Sequence, residues 1–280
     1  PARPGGPPRP PHSPRSPIRP LPEDAMWTHE RYCDETGQEA AAFATALEGA
    51  DPDAPVPTCP GWTVRDLAHH LGMTQRWAEM LVRTLAPRRV PQSRAGQPPE
   101  NDADLASWFA EGGTALVATL RAADPDAEMW SWAGDPHAGF WSRRMLFETA
   151  VHRADLFLAL GRGFALTGET AADGVDEFLA NLPYTTPFAP HVDRLRGDGQ
   201  TLAFTAADTG DRWTVALDKD RFGWRRTSAA DDVHADAAVR ASTASDLYLF
   251  FWGRLTADRP GISVAGDGDL LARWVENSAI

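Results

Sequence analysis

The chain has 280 residues, enough for one large or two ordinary domains, and its 42% hydrophobic and 24% charged residues are the balance of a soluble globular protein. No apolar run approaches the roughly 20 residues of a membrane span, and a net charge of −12 argues against a nucleic-acid partner. Two cysteines, Cys33 and Cys59, are too few for a disulfide scaffold, so a reducing cytoplasm is the expected compartment and a monomer the expected state.

Residues 1–25 hold ten prolines and four arginines and almost no large apolar side chain. Such a segment cannot bury enough surface to fold, and it lacks the apolar centre of a signal peptide. It is expected to be a flexible, disordered appendage, or the product of an overcalled translation start upstream of Met26. Elsewhere basic residues are almost all Arg, with Lys219 the single lysine, a bias of genome composition and not of a binding surface.

Residues 27–50 have a helical pattern with Tyr32, Phe43 and Leu47 on the apolar side. The proline-rich run 51–61 is a rigid connector, and Thr63 with Asp66 three residues on resembles a capping box that opens a second helix ending near Leu85. The apolar arc of that helix is Val64, Leu67, Ala68, Leu71, Ala78 and Val82. His69 points nearly opposite it, toward solvent, whereas His70 sits on its flank. Cys59 is expected to pack against the bundle end, too far from His70 to take part in chemistry.

A basic, proline-rich stretch (87–99) leads to a third helix over 102–123. A loop rich in Trp and Gly (124–140) leads to a fourth helix over 141–160. On that fourth helix Glu148 and His152 are spaced i, i+4 and project one turn apart from the edge of the apolar arc. A carboxylate and an imidazole turned toward a core need a partner, because burying them unpaired is costly. A divalent metal is one such partner, with His70 as the third ligand; a surface or hydrogen-bonded structural pair is the alternative. Four helices with moderate loops pack economically as an up-and-down bundle, which can build a metal site from ligands on facing helices.

After Gly161 the pattern changes. A helix over 169–182 precedes short strand runs at 201–206, 212–217, 222–226 and 237–242, then a helix from Leu247 to Leu255, a strand at 262–264 and a terminal helix over 269–278. The expected division is a leader (1–25), a metal-binding helical bundle (26–184) and a smaller C-terminal α+β domain (185–280).

Three segments together resemble the mycothiol-dependent maleylpyruvate isomerase family: Cys59-Pro-Gly-Trp-Thr-Val-Arg-Asp-Leu-Ala-His-His-Leu-Gly72, Arg143-Arg-Met-Leu-Phe-Glu-Thr-Ala-Val-His-Arg-Ala-Asp155, and Ala244-Ser-Asp-Leu-Tyr-Leu-Phe-Phe-Trp-Gly-Arg254. The resemblance covers nearly everything from Trp27 onward. It implies an α+β fold, a DinB-like four-helix bundle with the family's C-terminal domain. It also implies a divalent metal, usually zinc, on His70, Glu148 and His152, and mycothiol as thiol cofactor or cosubstrate. Phe147 departs from relatives that carry a His at that position.

Three protein ligands with an open position describe a catalytic zinc site, at which a thiol is deprotonated. The expected activity is cis–trans isomerisation of a maleylpyruvate-like acid or S-transfer to an electrophile. Arg144 and Arg254 are the candidate cofactor-binding cations, with Arg254 also the candidate catalytic residue in a cleft between the domains. Arg153 is a third cation near the site, and Asp155 either orients an imidazole or is a surface acid. A non-catalytic metal-containing binding or regulatory protein on the same fold is the competing class.

Overall fold

The computed structural model describes residues 27–228 and 234–280; the leader 1–25 lies outside the described residues. Four helices build the N-terminal part: α1 (His29–Leu47), α2 (Val64–Arg83), α3 (Leu105–Ala122) and α4 (Ala138–Ala159). α1 packs on α3 and α4, and α2 packs on the same two, so α1 and α2 lie across the diagonal of the bundle. The start of α2 is fixed as expected: the Thr63 hydroxyl accepts from the Asp66 amide, while the Asp66 carboxylate accepts from the Thr63 amide.

The connector before α2 is folded back on itself. The Val56 amide donates to the Trp62 carbonyl and the Cys59 amide to the Val56 carbonyl, and Pro55 bridges Thr63. This tight reversal returns Cys59 and Trp62 toward the bundle, which a reading of chain distance alone does not foresee.

The second part holds α5 (Gly168–Asn181), β1 (Gln200–Ala206), β2 (Asp211–Leu217), β3 (Phe222–Ser228), β4 (Ala237–Ala241), α6 (Ala244–Phe251), β5 (Ile262–Gly266) and α7 (Gly268–Ser278). The strands form one sheet in the order β3-β2-β1-β4-β5, antiparallel except for the β1–β4 pair. Register places Leu202, Val215 and Trp224 on one face with Phe204 and Trp213, and sets Ala203, Thr214 and Arg225 on the other. The first face packs against helices: Phe204 lies 4.6 Å from Phe251 and 5.7 Å from Trp274 between ring centroids. A sheet apolar on one face only needs cover on that face only.

α4 joins the two parts. Sixteen of its 22 residues are buried, so it has no solvent stripe. One side faces the bundle, and Leu146, Phe147, Val151 and Ala154 on another belong to the core that includes the sheet. Its charged residues are matched in place: Arg143 binds Asp173 at 2.7 Å, Arg144 binds Glu177 at 2.6 Å, and Arg153 binds Glu39 through two bonds of 2.5 and 2.9 Å. Burial of so many charges is tolerable only because each has a partner.

α6 ends at Phe251, before the expected Leu255. Gly253 turns the chain with φ 70°, a left-handed conformation that favours glycine, and the Arg254 amide donates to the Leu249 carbonyl. The turn directs Arg254 back toward α4.

Candidate metal centre and interdomain cleft

α4 presents Glu148 and His152 one turn apart, and α2 presents His70 opposite them. His70 Nε2 is 3.4 Å and His152 Nε2 3.5 Å from the same oxygen, Glu148 Oε1, and the three ligand atoms lie within 4.8 Å of one another. The imidazoles meet edge-on, with centroids 4.9 Å apart at 81°. Trp62 covers them, its ring 5.0 Å from that of His70 and 6.4 Å from that of His152. The wheel reasoning and the family resemblance single out these same three residues, and the fold brings them together.

The residues around them fix their orientation. Asp155, fully buried, accepts a 2.9 Å hydrogen bond from His152 Nδ1. An ionised carboxylate can only accept, so Nδ1 carries a proton, and Nε2 is the nitrogen whose lone pair a metal beside Glu148 would take in place of its proton. Burial lowers the pKa of His152, but its bonds to Asp155 and Glu148 outweigh burial and leave it raised. Arg144 donates to Glu148 Oε2 at 3.0 Å, leaving Oε1 to the histidines. Burial favours the neutral acid at Glu148, yet the bonds from His152 and His70 and the charge of Arg144 hold it well below the usual carboxylate range. Two imidazole nitrogens and a carboxylate oxygen that converge without other partners form a donor set that fits a divalent ion of the zinc type.

Asp155 is also the point at which the C-terminal part reaches the site. Arg254 grips it with Nε at 2.9 Å and Nη2 at 2.8 Å, Thr58 donates to it at 2.6 Å, and the Cys59 thiol lies 3.4 Å away. The alternative of a surface acid is thereby removed for Asp155. Neither candidate arginine is a free cation, because Arg254 is matched by Asp155 and Arg144 by Glu148 and Glu177. Arg153 points elsewhere, into its pair with Glu39.

Two expectations need correcting. Cys59 does pack against the core of the bundle end, but it is not remote from the site: the reversal of the connector sets it beside Asp155 and Arg254, on the wall of the cleft. Burial and then the charge of Asp155 push its thiol up to about 11 against the partial relief from Arg254, so it is not a ready nucleophile at neutral pH. His69 is not turned to solvent. It is half-buried with its ring edge-on to Trp108 of α3 at 6.2 Å, because α3 covers the side of α2 that the wheel left open.

The three ligands open onto a cleft of about 930 Å³ between the two parts. Its walls include Trp62, Trp77, Trp130, Trp132, Trp141 and Trp252, with Phe188 and Tyr184 from the segment after α5. The Trp/Gly character of the loop before α4 was the sequence signal for this wall, although nothing in it reported that the rings face the metal ligands.

Comparison with known proteins bears on the same residues. The sequence profile described as mycothiol maleylpyruvate isomerase N-terminal domain matches residues 33–157, and that described as MDMPI C-terminal domain matches 169–273. Crystal structures of the mycothiol-dependent maleylpyruvate isomerase and of a histidine-to-alanine mutant of it superpose with TM-scores of 0.57 and 0.58 at 13% identity. Each alignment covers 85% of this chain and 93% of the other. At that identity the likeness is one of fold: α+β, with a DinB-like four-helix bundle and a smaller C-terminal domain. No curated protein sequence gives a significant match.

Proposed function

Because the chain belongs to the mycothiol-dependent maleylpyruvate isomerase family, we propose that it is a metal-dependent enzyme of thiol chemistry, with mycothiol as the thiol and zinc as the metal. The observation that carries this reading is the convergence of His70, Glu148 and His152 at the wall of an open interdomain cleft. A divalent ion on those three residues would supply the positive charge that keeps a thiol ionised at neutral pH.

The chain's own residues do the rest. Asp155 holds His152 in the tautomer that offers Nε2, and Arg144 holds Glu148 ionised. Arg254 acts through Asp155 as a positioning residue, and Trp62 packs beside both imidazoles. Addition of the sulfur to a polarised double bond, rotation and elimination give isomerisation; displacement at an electrophilic carbon gives S-transfer. A purely structural metal would have a closed coordination sphere. The Cys59 thiol is grouped with His152 and Asp155 but not with His70 and Glu148, and it is committed to Asp155.

Protein loaded with zinc should hold about one ion per chain and consume mycothiol when an electrophile is added. His70→Ala, Glu148→Ala and His152→Ala should each abolish both. Retention of the ion in all three variants would sink the assignment.

A further inference from the structure

We infer that the electrophile served by this cleft is an aromatic or extended apolar compound carrying at most one anionic group, and not a small dicarboxylate; the inference rests on the thiol chemistry proposed above. Six of the chain's eleven tryptophans line this one cleft. Trp77, Trp130 and Trp141 form a mutually packed wall, with centroid separations of 5.5 to 6.1 Å. Trp77 gives its indole N–H to the Val90 carbonyl and Trp141 to the Trp130 carbonyl, so neither offers a donor to the cleft; the half-buried Trp77 presents ring carbon, with the buried Trp141 packed behind it.

The opposite lip is apolar as well. Phe188 meets Trp132 edge-on at 5.8 Å and remains 62% exposed, and Tyr184 beside it is 46% exposed. Large rings left in water at the mouth of a cleft mark a binding surface. Both lie on the segment after α5, where Phe188 meets Trp132 of the loop before α4 at the wall of the cleft.

The charges point the same way. A dianion bound in the cleft needs cations whose charge is not already matched, because carboxylates without partners are costly to bury. The two deep arginines, Arg144 and Arg254, are held by Glu148, Glu177 and Asp155. Arg89, exposed at the rim, lines the cleft with no ion pair among the described residues. With the charge of a divalent ion on the three ligands offset by Glu148 and the thiolate, this one free arginine accommodates one anionic group.

The test uses zinc-loaded full-length protein with mycothiol and two electrophiles, 1-chloro-2,4-dinitrobenzene and maleylpyruvate. With the aryl chloride a carbon–sulfur bond forms, the carbon–chlorine bond breaks, chloride leaves with the electron pair and the thiol proton passes to solvent. The expected result is a higher kcat/KM for the aryl chloride than for maleylpyruvate. Phe188→Ala and Trp132→Ala should raise KM for the aryl chloride about tenfold with kcat little changed and zinc retained. Unreactive 1,3-dinitrobenzene should quench tryptophan fluorescence saturably, with affinity about tenfold weaker in the same variants. Efficient turnover of maleylpyruvate with the aryl chloride ignored would overturn the substrate class and leave the thiol chemistry standing. If neither compound reacts and no zinc is held, the thiol reading fails. The dinitrobenzene titration then decides alone, with saturable quenching keeping the aromatic site and its absence removing it.

Discussion

Asp155 is the residue on which the site turns. Its carboxylate takes bonds from His152, Arg254 and Thr58, and the structure leaves it no exposure. Despite burial, the bonds from His152 and Arg254 hold its pKa far below the ordinary value. A depressed carboxylate pKa adds stability above the unfolded value of about 4 and loses it as pH falls toward the folded one. Asp155→Asn should therefore cost about 3 kcal/mol or more at pH 7 and weaken zinc binding about 10- to 100-fold. The Tm gap to the native protein should be widest at neutral pH and should narrow below about pH 4. A gap that widens in acid would contradict this account of Asp155. The convergence of His70, Glu148 and His152 was legible because each one's place beside an apolar arc is a property of its own helix, which a wheel describes. The surroundings of His69 and Cys59 were not, since one is covered by a neighbouring helix and the other returned by a turn of the connector, and neither event is written in the apolar pattern of α2. His69→Ala should leave zinc bound and lower Tm, through its lost contact with Trp108.

At the scale of elements, α5, α6 and α4 meet in a close contact. A Cβ on Gly174 would stand 2.7 Å from the Tyr248 ring and 2.9 Å from that of Phe147, both fully buried, and the Tyr248 hydroxyl already donates to the Phe147 carbonyl at 3.0 Å. Alanine in a helix gains about 1 kcal/mol over glycine, and overpacking costs about 1–3 kcal/mol. Gly174→Ala should be net destabilising. Gly37→Ala in α1, where the new methyl meets Val117 at an ordinary 3.7 Å, should be stabilising by about 0.5–1 kcal/mol. Thermal unfolding of the pair checks both signs, and a rise in Tm for Gly174→Ala would show that α5 has room to move. The strands were readable from alternation and turn residues. The end of α6 was not, because apolar periodicity continues through Leu255 while Gly253 has already ended the helix. α5 packs chiefly on α6 and shares the core of the sheet, and the profile of the C-terminal domain begins at residue 169. We place the domain division accordingly, between Gly161 and Gly168.

Across the whole molecule, one side of α4 and Tyr32 of α1 enter the core that includes the sheet, and the two parts are bridged at the site by the Arg254–Asp155 pair. Arg254 comes from the C-terminal part, yet it bonds Asp155 and not His70, Glu148 or His152, so it reaches the candidate metal centre by way of Asp155 and His152. Two roles for it make different predictions. As a positioning residue it acts through Asp155, so Arg254→Met and Asp155→Asn should remove the same interaction. Their effects on kcat and on stability should then be strongly non-additive, with a coupling of about 1–3 kcal/mol in a double-mutant cycle. Arg254→Lys, which keeps the charge but loses the two-pronged grip, should recover part of the loss. As a direct clamp on an anionic substrate, Arg254 would instead set KM, and its effect would add to that of Asp155→Asn. The bidentate geometry favours the first outcome: zinc content retained in Arg254→Met, Tm lowered, kcat reduced and KM for the electrophile little changed. An additive cycle with a large KM effect would return Arg254 to the clamp role and require it to leave Asp155 when substrate binds.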